Sequence, residues 1–273
     1  MKKTILITGA STGIGKLTAL HFAKQGWNVA ATMRTLDKGV ELAQVPNIKL
    51  FRLDVLDEAS IQAAISGAVS AFGGIDVLHN NAGYGLVGAF EAMSPLQIKQ
   101  QFDTNVFGVM NVTRALLPHF RGRKSGVIIT SSSMGGLVTF PLWSVYHASK
   151  WAIEGFMESL HYELRQFNIR VKNIEPGSIR TEFENAIEFV SSPVYDAYAL
   201  TVYENMLASY RSAPSAEIVA NAVWRAANDG SSRLRYVVGA QARVIILLKR
   251  LLPDSLFFGI ARRAVENGSH PQK

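Results

Sequence analysis

Residues 4–15 read "TILITGASTGIG", a short β-branched run that passes directly into three glycines spaced Gly-x-x-x-Gly-x-Gly. Apolar residues at helical spacing follow, with Leu17, Leu20, Phe22 and Ala23. No other feature limits the fold so strongly. A strand that turns through glycines into a helix is the opening half of a βαβ unit, whose strands are parallel. Glycines let the backbone turn sharply, approach a pyrophosphate and pack the helix onto the sheet. The helix N-terminus then offers unpaired N–H groups and a partial positive charge. The stretch therefore predicts a phosphate-binding turn built from Gly9, Ser11, Thr12, Gly13, Ile14 and Gly15. A glycine-rich turn without a ligand is the plain alternative.

The rhythm continues along the chain. Apolar or β-branched runs at 28–33, 48–54, 75–80, 126–132 and 169–175 predict further strands, with a weaker one at 235–240. Helical spacing marks 14–25, 58–72, 96–120 and 146–167 between them. Nearly continuous apolar strands are those covered on both faces. The expectation is an α/β fold: a single doubly wound, Rossmann-type domain over residues 1–273, with a parallel sheet of about seven strands in the order 3-2-1-4-5-6-7. Residues 181–214 lack strand pattern and carry many aromatics, suggesting a substrate lid; 241–273 form a C-terminal extension.

Composition removes several classes of function. The 273 residues include no cysteine, which excludes disulfides, thiol nucleophiles and cysteine-ligated zinc, and fits a reducing, cytoplasmic setting. The six histidines show no metal-ligand spacing, so no metal is expected. The net charge of +7 comes without a compact basic cluster interleaved with aromatics, so nucleic acid is not the expected partner. The apolar run near the start is too short for a signal-peptide core, and no stretch approaches a membrane span. The segment "VIILLKRLLPDSLFFGIARR" (244–263) flanks apolar blocks with bases and suits either a pocket cover or peripheral membrane contact.

"TGASTGIG", "NNAG" (80–83) and "YHASK" (146–150) together resemble the short-chain dehydrogenase/reductase family, in the expected order from residue 4 to about 181. The glycine spacing is similar to that of its simple single-domain oxidoreductases. The resemblance implies that Asp54 and Val55 contact an adenine, and that Asn81, Ala82 and Gly83 line the adenosine ribose side. It places Pro176, Gly177, Ile179 and Thr181 around the nicotinamide. Each of these also reads as an ordinary turn or strand-end residue. NAD enzymes carry an acid near the end of the second strand for the ribose 2′-hydroxyl. Here Met33 stands there, followed by Arg34, which can clamp a 2′-phosphate. NADP(H) is therefore expected, and NAD less so.

Tyr146 and Lys150 stand one turn apart on a predicted helix. A Tyr-x-x-x-Lys pair alone is weak, with about 0.35 expected by chance at this composition. Ser133 lies at the family's spacing upstream, and Asn105 matches the family's fourth catalytic position. Reducing a carbonyl needs hydride at carbon and a proton for the developing alkoxide. A neighbouring ammonium should lower the pKa of the phenol. On this reading Tyr146 donates the proton, Ser133 hydrogen-bonds the carbonyl oxygen, and Lys150 tunes Tyr146 and binds the nicotinamide ribose. By resemblance, Asn105 holds a relay water. The implied activity is NADP(H)-dependent interconversion of a carbonyl and a secondary alcohol on a bulky apolar substrate contacting Ser133 and Tyr146. Oxidation of a hydroxysteroid, retinoid or lipid alcohol is one alternative, and a non-catalytic dinucleotide sensor another. Related enzymes are often homo-oligomers.

Overall fold

The computed structural model describes residues 2–266. Seven strands form a wholly parallel sheet: β1 (Thr4–Ile7), β2 (Asn28–Met33), β3 (Ile48–Arg52), β4 (Val77–Asn80), β6 (Gly126–Ser131), β7 (Ile169–Pro176) and β9 (Arg235–Val238). Two short strands, β5 (Gly85–Gly88) and β8 (Ile187–Val190), pair with each other outside it. The sheet runs β3-β2-β1-β4-β6-β7-β9, the order expected for the seven strands read from the sequence.

Among the described residues, eight helices connect these strands: α1 (Gly13–Lys24), α2 (Val40–Ala43), α3 (Glu58–Phe72), α4 (Pro95–Phe102), α5 (Gly108–Arg123), α6 (Ser144–Leu164), α7 (Asp196–Arg211) and α8 (Glu217–Asn228); α9 (Ala240–Leu251) and α10 (Asp254–Glu266) follow the last strand. Successive strand residues alternate between two cores. Ile5 and Ile7 of β1 pack with Phe22, Trp27, Val219 and Val223, on the side of α1 and α8. Leu6 packs with Ile61, Val112, Leu116 and Met157, on the side of α3, α5 and α6. Each large side chain so buried contributes about 1.5–3 kcal/mol, and burial on both faces is why β1 reads as an unbroken apolar run.

The helix ends follow local chemistry. Asp57 caps α3 by accepting from Ser60 N at 3.2 Å, and Gly73 closes it in the left-handed region at φ 82°. Ser94 and Gln97 form a reciprocal capping box on α4, with Pro95 in its first turn. The expected helix over 96–120 is divided. A π-helical turn, Asp103–Phe107, joins α4 to α5 and carries Asn105. Such turns interrupt a helix where a side chain must be re-aimed, commonly at functional sites.

The region expected to lack strand pattern contains one short strand, β8, followed by α7. Parallel pairing of Leu86 with Glu188 and of Val87 with Phe189 fastens it over the loop after β4. In the C-terminal extension, Ala242, Ile246 and Phe257 pack against Met134 and Val138, in the segment that follows β6. Residues 267–273, the remainder of the extension, lie outside the described residues.

Candidate active site

A cleft of about 950 Å³ opens along the C-terminal ends of β1, β2, β3, β4, β6 and β7. This is where an open parallel sheet presents its loops and helix N-termini to a ligand. Gly9, Ser11, Thr12, Gly13 and Ile14 line its floor, with Arg34, Asp54, Val55, Asn81, Ala82 and Gly83 on one side. Ser133, Tyr146, Lys150, Pro176, Gly177, Ile179 and Thr181 line the other. Two expected residues stand behind the wall. Gly15 is buried under the turn, where a Cβ would fall 2.2 Å from the Gly9 carbonyl oxygen. Asn105 is the other.

The glycine turn is tightly braced. Gly9 sits at φ +65°, and a Cβ there would lie 2.9 Å from Ala82 Cα. Asn81 Nδ2 donates to the carbonyls of Thr8 and Gly9 at 3.1 and 3.0 Å. Thr8 Oγ1 accepts from the N–H groups of Asn81 and Ala82 at 2.9 and 3.1 Å. Asn81 therefore holds the turn in shape as well as lining the cleft. Thr8 was not among the residues expected from sequence, because its role exists only once β1 and β4 are adjacent.

The turn also meets an anion of its own chain. Gly13 N–H, at the start of α1, donates to Glu182 Oε2 at 2.7 Å. A carboxylate held at a helix N-terminus shows that the electrostatics there suit negative oxygen, as a pyrophosphate would require. At the end of β2 a recess of about 300 Å³ is lined by Ser11, Met33, Arg34, Thr35 and Lys38. Two exposed cations and no acid line it. Lys38, in a 3-10 turn, gave no signal beyond its charge.

At the opposite end, Tyr146 is 8% exposed and packs edge-on against Trp143, ring centroids 5.0 Å apart. Burial pushes its phenol up to about 12, with the Ser133 hydroxyl pulling the other way. Burial likewise brings the Lys150 amine down to about 8, opposed by the carboxylate of Glu154. Lys150 Nζ donates to the Ser131 carbonyl at 2.8 Å and lies 5.7 Å from the Tyr146 ring centroid. The expected lowering of the phenol is thus overridden: desolvation by burial outweighs the pull of Ser133, and the net shift is upward.

The three serines at the end of β6 and just beyond it, Ser131, Ser132 and Ser133, separate by environment. Ser131 Oγ is 2.9 Å from His79 Nε2, while Ser132 Oγ is buried without a hydrogen-bond partner. Ser133 Oγ accepts from Gly135 N–H at 3.0 Å and faces Tyr146. Asn105 uses its amide structurally, accepting from Tyr84 N–H at 3.1 Å and donating to the Tyr84 carbonyl at 2.9 Å.

The outer cleft is walled by Tyr84, Phe183, Ala186, Ile187, Glu188 and Tyr210. Of the lid aromatics, Phe183 and Tyr210 reach it. Phe189 packs at a tilt against Tyr203, ring centroids 4.4 Å apart, and Tyr195 donates to Glu91 Oε2 at 2.8 Å on the outside. Among the described residues, no helix is long and apolar enough to cross a membrane.

The sequence model described as "short chain dehydrogenase" matches residues 3–189. The uncharacterized oxidoreductase YusZ of Bacillus subtilis (strain 168) is 36% identical over 276 residues, covering 96% of this chain and 98% of that one. A 3-ketodihydrosphingosine reductase of Bacteroides thetaiotaomicron is 39% identical over 66% of this chain and 65% of its own length. Retinol dehydrogenase 8 of Homo sapiens is 41% identical over 68% of this chain and 61% of its own length. Among solved structures, a short-chain dehydrogenase from Streptomyces avermitilis superposes with a TM-score of 0.84 at 32% identity, covering 95% and 94% of the two chains. ElxO, solved with NADP bound, superposes at 0.76 with 27% identity, covering 89% of this chain and 100% of that one. A parallel sheet with a braced glycine turn, a cleft at its strand ends and this breadth of likeness place the chain in the short-chain dehydrogenase family, as an oxidoreductase acting on CH–OH groups with a nicotinamide dinucleotide.

Proposed function

We propose that the protein is an NADP(H)-dependent carbonyl reductase/alcohol dehydrogenase for bulky, uncharged, apolar substrates. The observation that carries this reading is the convergence of Ser133, Tyr146 and Lys150 on one end of the cleft, while Arg34 and Lys38 stand at the other. The glycine turn receives the pyrophosphate, Asp54 and Val55 flank the adenine, and Asn81, Ala82 and Gly83 lie along the adenosine ribose. Pro176, Gly177, Ile179 and Thr181 hold the nicotinamide end. When bound, the dinucleotide supplies or accepts hydride.

The chain's residues manage the proton. Ser133 Oγ–H and the Tyr146 phenol both point to the substrate oxygen. As the carbonyl carbon gains hydride, the C=O π pair moves onto oxygen and takes the phenol proton. The phenolate left behind is stabilised by the ammonium of Lys150. A phenol held near 12 is fully protonated at neutral pH, which suits donation during reduction. Lys150 near 8 sets the limit: its ammonium is lost as pH rises through that value. The Asn105 amide is spent on Tyr84, so any relay water would be held by its main chain in the π-helical turn.

Substrate class follows from the outer wall. Tyr84, Phe183, Ile187 and Tyr210 offer apolar surface, and Glu182 and Glu188 repel a carboxylate or phosphate. The proteins named retinol dehydrogenase 8 and 3-ketodihydrosphingosine reductase support a long apolar substrate, and the first favours lipid-alcohol oxidation as the second reading. Residues 181–214 act as the substrate lid of a single domain. Exposed Phe107, Trp151 and Tyr162 suit contact with a second copy, and the lack of cysteine suits the cytoplasm. The test follows consumption of reduced nicotinamide with a homologous ketone series. kcat/KM should rise by up to about 0.8 kcal/mol per added methylene until the pocket fills. Tyr146→Phe should lose turnover by orders of magnitude with NADPH binding retained. A flat series, a preference for keto acids, or a phenylalanine variant above about a tenth of the native rate overturns the reading.

A further inference from the structure

Outside the cleft lining, one helical turn beyond Lys150, the fold buries two carboxylates that the proposed proton transfer does not use. Glu154 of α6 is 4% exposed, and Glu175, just before Pro176 on β7, is 0% exposed. Both meet one guanidinium: Arg235 Nε of β9 lies 3.1 Å from Glu154 Oε2 and 3.4 Å from Glu175 Oε1. Asn173 Nδ2 donates to Glu154 Oε2 at 2.8 Å, while Arg235 Nη2 turns outward to Glu158 at 2.6 Å. That leaves Glu154 Oε1 and both Glu175 oxygens buried with no hydrogen-bond partner. A Cβ on Gly136 would lie 2.9 Å from both Glu154 Cγ and Ser132 Oγ, so the glycine makes room for this close packing.

Two buried carboxylates that meet the same guanidinium nitrogen repel strongly when both are ionised, and one of them must take up a proton. A proton on one of the orphaned oxygens turns that repulsion into a carboxylic acid–carboxylate hydrogen bond. The pair then carries a single negative charge, matched by Arg235. We infer that Glu154 and Glu175 share one proton, and that the remaining charge makes Glu154 a positioning residue that keeps Lys150 an ammonium. The second half rests on the role proposed for Lys150. Burial, then Glu154, pushes Glu175 up to about 8 against the pull of Arg235 and Arg250, which agrees with the shared proton. The charged groups facing the pair are Lys150 and Glu158 from α6, Arg235 from β9 and Arg250 from α9. Lys172, on the other face of β7, is committed to Asp229 and Tyr236.

Two measurements separate the halves. In the reductive direction, Glu154→Gln should move the alkaline fall of kcat/KM to lower pH by about one unit, because the charge nearest Lys150 is gone. Glu154→Asp should restore part of that shift. Glu175→Gln, which imitates the protonated partner, should leave the position of the fall unchanged. A purely structural role would lower the rate at every pH without moving the profile. Coincident wild-type and Glu154→Gln profiles, or an equal shift in Glu175→Gln, overturn the coupling. The shared proton is read without turnover, by infrared spectroscopy of the wild-type chain at neutral pH. A protonated-carboxyl C=O band should be present and should vanish in Glu175→Gln; its absence from the wild type overturns the shared proton even where Glu154→Gln does not fold. Failure of the oxidoreductase reading itself would show differently, as a wild-type protein with no nicotinamide-dependent turnover.

Discussion

Replacing Arg34 by alanine tests the proposed preference for NADP(H). Arg34 and Lys38 line the recess at the end of β2, and Met33, 4% exposed, occupies the place of an acid. A charge-assisted hydrogen bond to a 2′-phosphate is worth roughly 1.5–3 kcal/mol, or about 10- to 150-fold in affinity. Arg34 is solvent-exposed, so screening holds the effect to the lower half of that range. Lys38 is a point charge on a flexible stem and should contribute less, on the order of 1 kcal/mol or about fivefold. Arg34→Ala should therefore lower kcat/KM with NADPH by about 10- to 30-fold. NADH, which lacks the phosphate, should be nearly unaffected. Arg34→Lys should fall between the two, since it keeps charge and loses the planar fork. Added salt should erode the NADPH advantage of the native protein and change the alanine variant little. An unchanged NADPH/NADH ratio in Arg34→Ala, or an equal loss with both cofactors, refutes the assignment.

Gly15→Ala places a methyl 2.2 Å from the Gly9 carbonyl oxygen and 2.6 Å from Asn81 Nδ2. Overpacking of this kind costs about 1–3 kcal/mol, so Tm should drop by roughly 2–10 °C; an unaltered melting curve would show that α1 can shift freely. Glu182→Gln removes the carboxylate that Gly13 N–H holds, and NADPH should then bind about fivefold more tightly by titration calorimetry, for an exposed charged contact of roughly 1 kcal/mol. Equal or weaker binding would mean that carboxylate and pyrophosphate do not compete. Burial holds His79 near 3 and His147 near 4, well below the ordinary 6.5. The unfolded chain binds protons that the folded state refuses, so stability is complete above about pH 6.5 and lost progressively toward pH 4, by up to about 1.4 kcal/mol per histidine per pH unit. A urea midpoint that stays level between pH 7 and pH 5 would contradict the buried neutral histidines.

What was legible in the sequence was what neighbours along the chain decide. The glycine turn, the strand runs and the Tyr146–Lys150 spacing each lie within a dozen residues, and the fold places them as expected. The brace from Thr8 to Asn81 joins residues 73 apart and appears only when β1 and β4 are side by side. Gly85–Gly88 pairs with Ile187–Val190 about a hundred residues on, and two apolar residues flanked by glycines carry no period to reveal it. The π-helical turn at Asn105 was hidden because apolar spacing continues across it on both sides. The electrostatics of Tyr146 failed for a different reason. Pairing with Lys150 could be read from spacing, but the depth of burial that reverses the net effect belongs to the packed structure.

Packing also ties the C-terminal extension to the candidate site. Ser133 leaves β6 on a loop that must return to α6 with Tyr146 in its first turn, so the loop's shape sets the distance between hydroxyl and phenol. Met134 and Val138 of this loop are covered by Ala242, Ile246 and Phe257, and Trp143 at its far end packs on Tyr146. Without that cover the loop would expose apolar surface and lose the contacts that hold it still. Arg250, on α9, also reaches the electrostatics of Glu175. The two amphipathic helices thus bury one face against the loop that carries Ser133. The outer face of α9, with Val244, Leu247 and Leu251, and that of α10, with Leu256 and Phe258, stay exposed. A force on the outer face of α9 would be transmitted through Ile246 and Ala242 to the loop bearing Ser133, because close-packed interiors pass strain along rather than absorb it.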